Sequence, residues 1–185
     1  MNRVLFCVLG RTASGKDTLS TEICKQFNLN KLISYTTRAP RSEFEDTHIF
    51  ATEADFYNFA ANGQIAASTK IGEYYYWSTI EQLKAADIYV TDYIGLKQIK
   101  SHNLLDVKIV TIYIKAPEDE RHKRAYMRNP DVDAYWTRNA AEKEQFDELE
   151  ELQDWDYLIY NNRFADGCKH FEEIITYERN KNNVL

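Results

Sequence analysis

The chain has 185 residues, a length that suits one compact domain, and its 44% hydrophobic and 28% charged residues argue against a disordered chain. A formal charge of −6 argues against a general nucleic-acid binder, and three widely spaced cysteines, Cys7, Cys24 and Cys168, argue against a disulfide framework or a structural zinc site. No apolar run approaches the roughly 20 residues of a membrane span, and the run 4–9 is too short for a signal peptide, so the expectation is a cytoplasmic protein with free thiols and no membrane partner.

In chain order, the continuous apolar run 4–9 reads as a buried parallel strand, residues 10–15 as a loop and 17–27 as a helix. A second short strand is expected at 32–35. The aromatic-rich stretch 36–86 holds strand candidates near 48–51, 64–69 and 74–78, a helix over 53–61 stopped by Gly63, and a short helix over 79–86. At least one of the tyrosines 74–76 should face the core. The β/α rhythm resumes with strands at 87–92 and 107–115. A charged helix follows, opened by Pro117 and broken at Asn129-Pro130-Asp131, with Arg121 and Lys123 expected on a solvated face. Residues 138–152 read as helical, with Phe146, Leu149 and Leu152 at helical spacing; 155–160 is a last strand and 164–177 a last helix. The polar tail 179–185 is expected to fray. Strands alternating with helices predict an α/β protein whose parallel sheet is covered on both faces.

Between the first strand and helix stands Gly10-Arg-Thr-Ala-Ser-Gly15-Lys16-Asp17-Thr18. It fits the phosphate-binding loop pattern G-x-x-x-x-G-K, with Asp17 in the usual Ser/Thr slot. Small residues let backbone N–H groups curl around phosphate oxygens, the helix offers its positive N-terminus, and Lys16 adds a point charge. Gly10, Ala13, Ser14, Gly15, Lys16, Asp17 and Thr18 are therefore the expected ATP-side residues, and the fold class is the three-layer P-loop NTPase. Asp17 either helps to hold magnesium, with Thr18, or is a helix N-terminal acid that points aside. Further on, Ser34-Tyr-Thr-Thr-Arg38-Ala-Pro-Arg41 places two arginines three apart in a proline-stiffened loop, where both can fork onto one phosphate.

That second segment resembles the S-x-T-T-R-x-P-R segment with which guanylate kinases hold the acceptor's phosphate. Gly72-Glu-Tyr-Tyr-Tyr-Trp-Ser78 is similar to the family's G-x-Y-Y-G-x-S hairpin, Asp92 and Gly95 fall at its D-x-D-x-Q-G, and residues 155–162, through Asn161, resemble its late strand. The resemblance runs from about Val4 to Tyr177. It implies an inserted mixed α/β acceptor-binding subdomain over 36–86, a helical lid over 129–138, and a core made of 1–35, 87–128 and 139–185. It also implies acceptor contacts from Ser34, Arg38, Arg41, His48, Tyr76, Ser78 and Asp92, and Arg124 and Asn161 on the ATP side. Lys16, Arg38, Arg128 and Arg138 would be catalytic. ATP would be co-substrate, with Mg2+, in a monomer or homodimer acting on small nucleotides.

The departures concern the base. His48 stands where the family has a tyrosine on the acceptor phosphate, so it either touches phosphate or is a half-buried strand residue. Ala67, or Ser68 if the register slips by one, stands where the family reads guanine with a glutamate. Asp92 is either a polar contact to the acceptor or a cap on the next helix. The expected activity is phosphoryl transfer from ATP to a nucleoside monophosphate, GMP or dGMP foremost, with relaxed base discrimination. The competing expectations are a sugar-phosphate kinase resembling ribose 1,5-bisphosphate phosphokinase, which shares G-K-D and lacks the glutamate, and a binding module that has lost catalysis.

Overall fold

The computed structural model describes residues 3–40, 43–102, 107–129 and 133–183. Strand β1 (Arg3–Leu9) is buried from Leu5 onward. It lies inside a four-stranded parallel sheet between β6 (Ile88–Val90) and β7 (Val107–Lys115), with β8 (Tyr157–Tyr160) beyond β7. Successive strand side chains point to opposite faces. Phe6 and Val8 accordingly join Leu19, Ile23, Phe171 and Ile175 from α1 (Lys16–Phe27) and α7 (Phe164–Asn183). Leu5, Cys7 and Leu9 meet Leu96, Ile99, Phe146 and Leu149 from α4 (Tyr93–Ser101) and α6 (Asp133–Leu152). The expected parallel sheet with two covered faces is thus present. Burial pushes the Cys7 thiol up to about 12, so it packs as an inert apolar group.

A second, mixed sheet holds β3 (Ile49–Phe50), β2 (Tyr35–Thr36), β5 (Tyr74–Thr79) and β4 (Ile65–Ile71), in that order. Strands β4 and β5 form a hairpin through Gly72-Glu73, where Gly72 takes φ +61°, a conformation glycine adopts without cost. Helix α2 (Glu53–Ala61) opens on a reciprocal Thr52/Asp55 capping box. Its Phe56 and Phe59 pack on Trp77, which also stacks on Tyr35 at 5.2 Å and is 1% exposed. Helix α3 (Ile80–Ala85) returns the chain to the parallel sheet. The other tryptophans sit elsewhere: Trp136 is 46% exposed in the first turn of α6, and Trp155 packs on Tyr113 at 5.1 Å.

Several expectations need correction. The second strand falls at β2, inside the mixed sheet, while Lys31 makes only a bridge to Ile88 of the parallel one. The helix expected after Asp92, whose extent the sequence reading left open, is α4, Tyr93–Ser101. Helix α6 begins at Asp133, so Arg138 lies within it. Leu152 is 62% exposed. Tyr74 is exposed and Tyr75 and Tyr76 only half-buried; the core position belongs to Trp77. Helix α7 continues through 179–183 because buried Glu178 is tied to Lys108 Nζ (2.5 Å) and Tyr157 Oη (2.7 Å), which fixes its last turns to the sheet. In α5 (Glu118–Arg128), Lys123 is exposed as expected, but Arg121 is 5% exposed and points inward.

Candidate functional site

The loop after β1 is shaped by contacts on both sides. A Cβ at Gly10 would stand 2.7 Å from the Ile114 carbonyl oxygen, so only glycine lets β1 run this close to β7. Gly15 takes φ +90° and Ala13 φ 62°, which curls the peptide planes between them. Behind the loop, Asn161 Nδ2 donates to the Ser14 carbonyl (2.8 Å). Arg124 donates to the same carbonyl (3.2 Å) and to that of Asn161 (2.7 Å). In front, both oxygens of Glu142 accept from Thr12, at 2.7 Å from its N–H and 2.8 Å from its hydroxyl. Arg121 Nη1 donates to the Thr12 carbonyl (3.3 Å) and to Asn139 Oδ1 (2.9 Å), which is why it is buried.

One cavity of about 420 Å³ opens on this loop. Gly10, Ala13, Gly15, Lys16, Asp17 and Thr18 line one side; Ser34, His48, Tyr76 and Asp92 line another; Arg124, Arg128 and Arg138 complete it from α5 and α6. The residues expected on the ATP side, the acceptor side and the lid therefore converge. Four expected residues do not line it. Ser14 and Asn161 support the loop from behind, and Ser78 is fully buried. Arg38 forks onto Glu45 (2.6 and 3.2 Å) and lies over the Phe50 ring. Arg41 lies outside the described residues.

His48 Nδ1 stands 3.1 Å from Ser34 Oγ, and its ring meets Tyr76 edge-on. Burial lowers its pKa, the Arg38 charge lowers it further, and Asp17 opposes only in part; His48 is a neutral polar contact at neutral pH. Asp17 leans toward Lys31 Nζ at 3.4 Å. Desolvation opposes its charge, but Lys16 and Lys31 together outweigh that and hold its carboxyl below the usual range.

At the far end, Ala67 is buried opposite Ser78, and Ser68 has both backbone groups taken by Gln98: its N–H donates to Oε1 (2.6 Å) and its carbonyl accepts from Nε2 (3.1 Å). No carboxylate stands at either position where the family's glutamate was sought. Asp92 caps α4, accepting from the Gly95 N–H at 2.7 Å, and lines the cavity at the same time. Its two readings are compatible, because one oxygen caps while the carboxyl faces the cavity. Burial pushes its pKa up, more than the Gly95 bond and the Thr69 side chain pull it down.

Sequence reasoning missed Glu142, Gln98, Glu45 and Thr12. Only Glu142 carried a local signal, lying four residues after Arg138 on the same helix face.

The comparisons agree with this geometry. The family model described as guanylate kinase matches residues 2–178. The guanylate kinase of Rickettsia prowazekii is 27% identical over 98% of this chain and 95% of its own length, and that of Clostridioides difficile is 26% identical over 96% and 89%. Among solved structures, the guanylate kinase from Anaplasma phagocytophilum superposes with a TM-score of 0.70 at 20% identity, covering 95% of this chain and 86% of that one, a likeness of fold. With a parallel sheet, a phosphate loop and a mixed sheet around one cavity, and a family match over nearly its full length, the chain belongs to the guanylate kinase family.

Proposed function

We propose that the chain transfers the γ-phosphoryl group of ATP to a nucleoside monophosphate, GMP or dGMP foremost, with weaker base discrimination than a pocket carrying a guanine-reading glutamate. The observation that carries this reading is that both sets of groups, donor-side and acceptor-side, share one cavity. Phosphate-loop groups, acceptor-side groups and three arginines line the same 420 Å³, so donor and acceptor meet without leaving the protein. Phosphoryl transfer asks for positioning and charge neutralisation rather than covalent chemistry. Lys16 and the loop amides would hold the donor phosphates. Ser34, His48 and Tyr76 would contact the acceptor phosphate, with Arg38 and Arg41 joining once Arg38 exchanges Glu45 for phosphate. Arg124, Arg128 and Arg138 would neutralise the transferred group.

Magnesium fits the residues present. Asp17 and Thr18 offer oxygens beside Lys16 on the cavity wall, and an ion that keeps waters and phosphate oxygens needs only one or two such ligands. It would supply charge neutralisation on the donor phosphates.

The base reading rests on Asp92 and on the missing carboxylate at 67 and 68. A hydrogen bond to a charged group is worth roughly 1.5–3 kcal/mol, so its loss relaxes guanine preference about 10- to 150-fold. The test is kcat/KM for GMP, dGMP, AMP, dTMP, dUMP, dCMP and ribose 1,5-bisphosphate, with ATP and magnesium and Lys16→Ala as the inactive control. Guanine preference within a few hundred-fold is expected. Preference above about 1,000-fold would mean that another residue replaces the glutamate. Turnover of the sugar bisphosphate alone would assign the chain to that chemistry, and no turnover with any acceptor would make it a binding module.

A further inference from the structure

Glu142 accepts three hydrogen bonds beside the phosphate loop, and no motif of the sequence points to it. It is 5% exposed. Its Oε2 accepts from the Thr12 N–H (2.7 Å); its Oε1 accepts from the Thr12 hydroxyl (2.8 Å) and from Arg138 Nε (3.1 Å). A buried carboxylate is costly unless its lone pairs are filled, and here the loop and a cation fill them together. The arrangement joins two parts with different tasks, since Thr12 belongs to the loop that cradles the donor and Arg138 lines the cavity from α6. The bond to Arg138 uses Nε. The two terminal nitrogens make no hydrogen bond to another described residue, and the guanidinium carbon stands 6.0 Å from the Tyr76 ring centroid on the acceptor side.

We infer that Glu142 is a positioning residue for phosphoryl transfer: it references Arg138 to the phosphate loop through Thr12, so that the terminal nitrogens of Arg138 face the group passing between donor and acceptor. The inference rests on the kinase reading above. Two features of the geometry favour positioning over a plug. The carboxylate binds the amide of Thr12, and that of Ser14 donates to the Arg11 carbonyl (3.0 Å), so the bond to Glu142 leaves the amides at the start of α1 for a donor phosphate. Its charge is also matched by Arg138 in the same contact, so the pair adds no net repulsion against an anionic substrate. Arg121 holds the Thr12 carbonyl in the next peptide unit, so the Thr12 backbone is fixed on both sides.

The experiment is a double-mutant cycle on the full chain, with GMP as acceptor and ATP as donor. Glu142→Gln keeps the shape and one acceptor oxygen, removes the charge, and cannot accept from both Thr12 and Arg138 as before. It should lower kcat roughly 10- to 100-fold while the KM for ATP changes less than threefold, since misplacing one group by about an ångström costs on that order. In an Arg138→Ala background the same change should cost less than threefold. Added guanidinium should partly restore turnover to Arg138→Ala and should fail to restore the double variant, which lacks the carboxylate that seats the cation. Melting temperatures of all four proteins separate this from general damage, because a merely structural role lowers stability equally in both backgrounds and leaves guanidinium rescue intact. Additive losses, or rescue of the double variant, would overturn the inference and leave the kinase reading standing. A faster Glu142→Gln enzyme would also overturn it, by showing that the carboxylate blocks the site. No turnover by the unaltered protein would remove the kinase reading and this inference together.

Discussion

Asp92 caps α4 and lines the cavity with the same side chain, and in the proposed reading it is the carboxylate that meets the acceptor base. Burial raises its pKa above the ordinary aspartate value. A raised folded-state pKa means that the proton binds the folded protein more readily, so the charged form is lost on the acid side before an ordinary aspartate would be. A carboxylate that accepts from guanine must be charged to do so well. The KM for GMP should therefore climb as pH falls through that raised value, while the KM for ATP stays flat. Asp92→Asn should abolish this acidic limb, raise the KM for GMP at neutral pH and lower the melting temperature only slightly, because asparagine caps helices about as well as aspartate. Initial-rate profiles at several pH values check all three, and an unchanged acidic limb in Asp92→Asn would assign it to another group. His48, whose lowered pKa also places its proton uptake on the acid side, is the other group that titrates there, and the comparison with Asp92→Asn separates the two.

At the scale of elements, α5 and α6 grip the phosphate loop from two directions, by Arg121 at the Thr12 carbonyl and by Glu142 at its N–H. Arg121→Met keeps the stem and deletes two hydrogen bonds from a charged donor. A solvated arginine would cost within about 0.5 kcal/mol. The buried one should cost about 1.5–3 kcal/mol, a fall of several degrees in melting temperature for a chain of this size, with a weaker grip on ATP; calorimetry with and without ATP reads both. The sequence of α5 hides this, since Glu118–Arg128 is charged nearly all round and only docking on the loop selects Arg121 for burial. The beginning of α6 was obscured by the break at Asn129-Pro130-Asp131, and α4 by its short length and by Gly95, whose missing Cβ makes room for the Thr91 hydroxyl. The elements that were legible carry strong local signals. These are the apolar run of β1, the glycines of the loop, the Thr52 cap of α2 and the long apolar alternation of β7. The same division runs through the site. Lys16 and Ser34 belong to short motifs written in the sequence, whereas His48, Arg124, Arg128 and Arg138 were expected only from the family resemblance. Gln98 and Glu142 act on Ser68 and Thr12, 30 and 130 positions away, and contacts between such distant residues leave no mark on a single sequence; the spacing of Glu142 from Arg138 shows their pairing but not the bond to the loop.

For the whole molecule, the two sheets divide the work. The parallel sheet leads into the phosphate loop at the end of β1, while of the cavity residues proposed for the acceptor Tyr76 lies on β5 of the mixed sheet and Ser34 and His48 stand just before β2 and β3. Substrate binding that draws these parts together would be a change between bodies rather than within them. The three tryptophans are distributed along the same division. Trp77 is sealed in the aromatic stack of the mixed sheet, Trp155 packs beside the parallel sheet, and Trp136 is partly exposed on the first turn of the helix that bears Arg138. The protein thus carries an intrinsic optical label on each of its parts, with different surroundings for each. Nucleotide addition to Trp77→Phe/Trp155→Phe, which leaves Trp136 alone, should shift its emission to shorter wavelength as α6 closes and water is excluded. The variant that retains only Trp77 should stay nearly constant, because its ring is already dry. Stopped-flow traces of the first variant would then time the lid without any attached dye, and equal shifts in both would show that the acceptor sheet itself rearranges around the nucleotide.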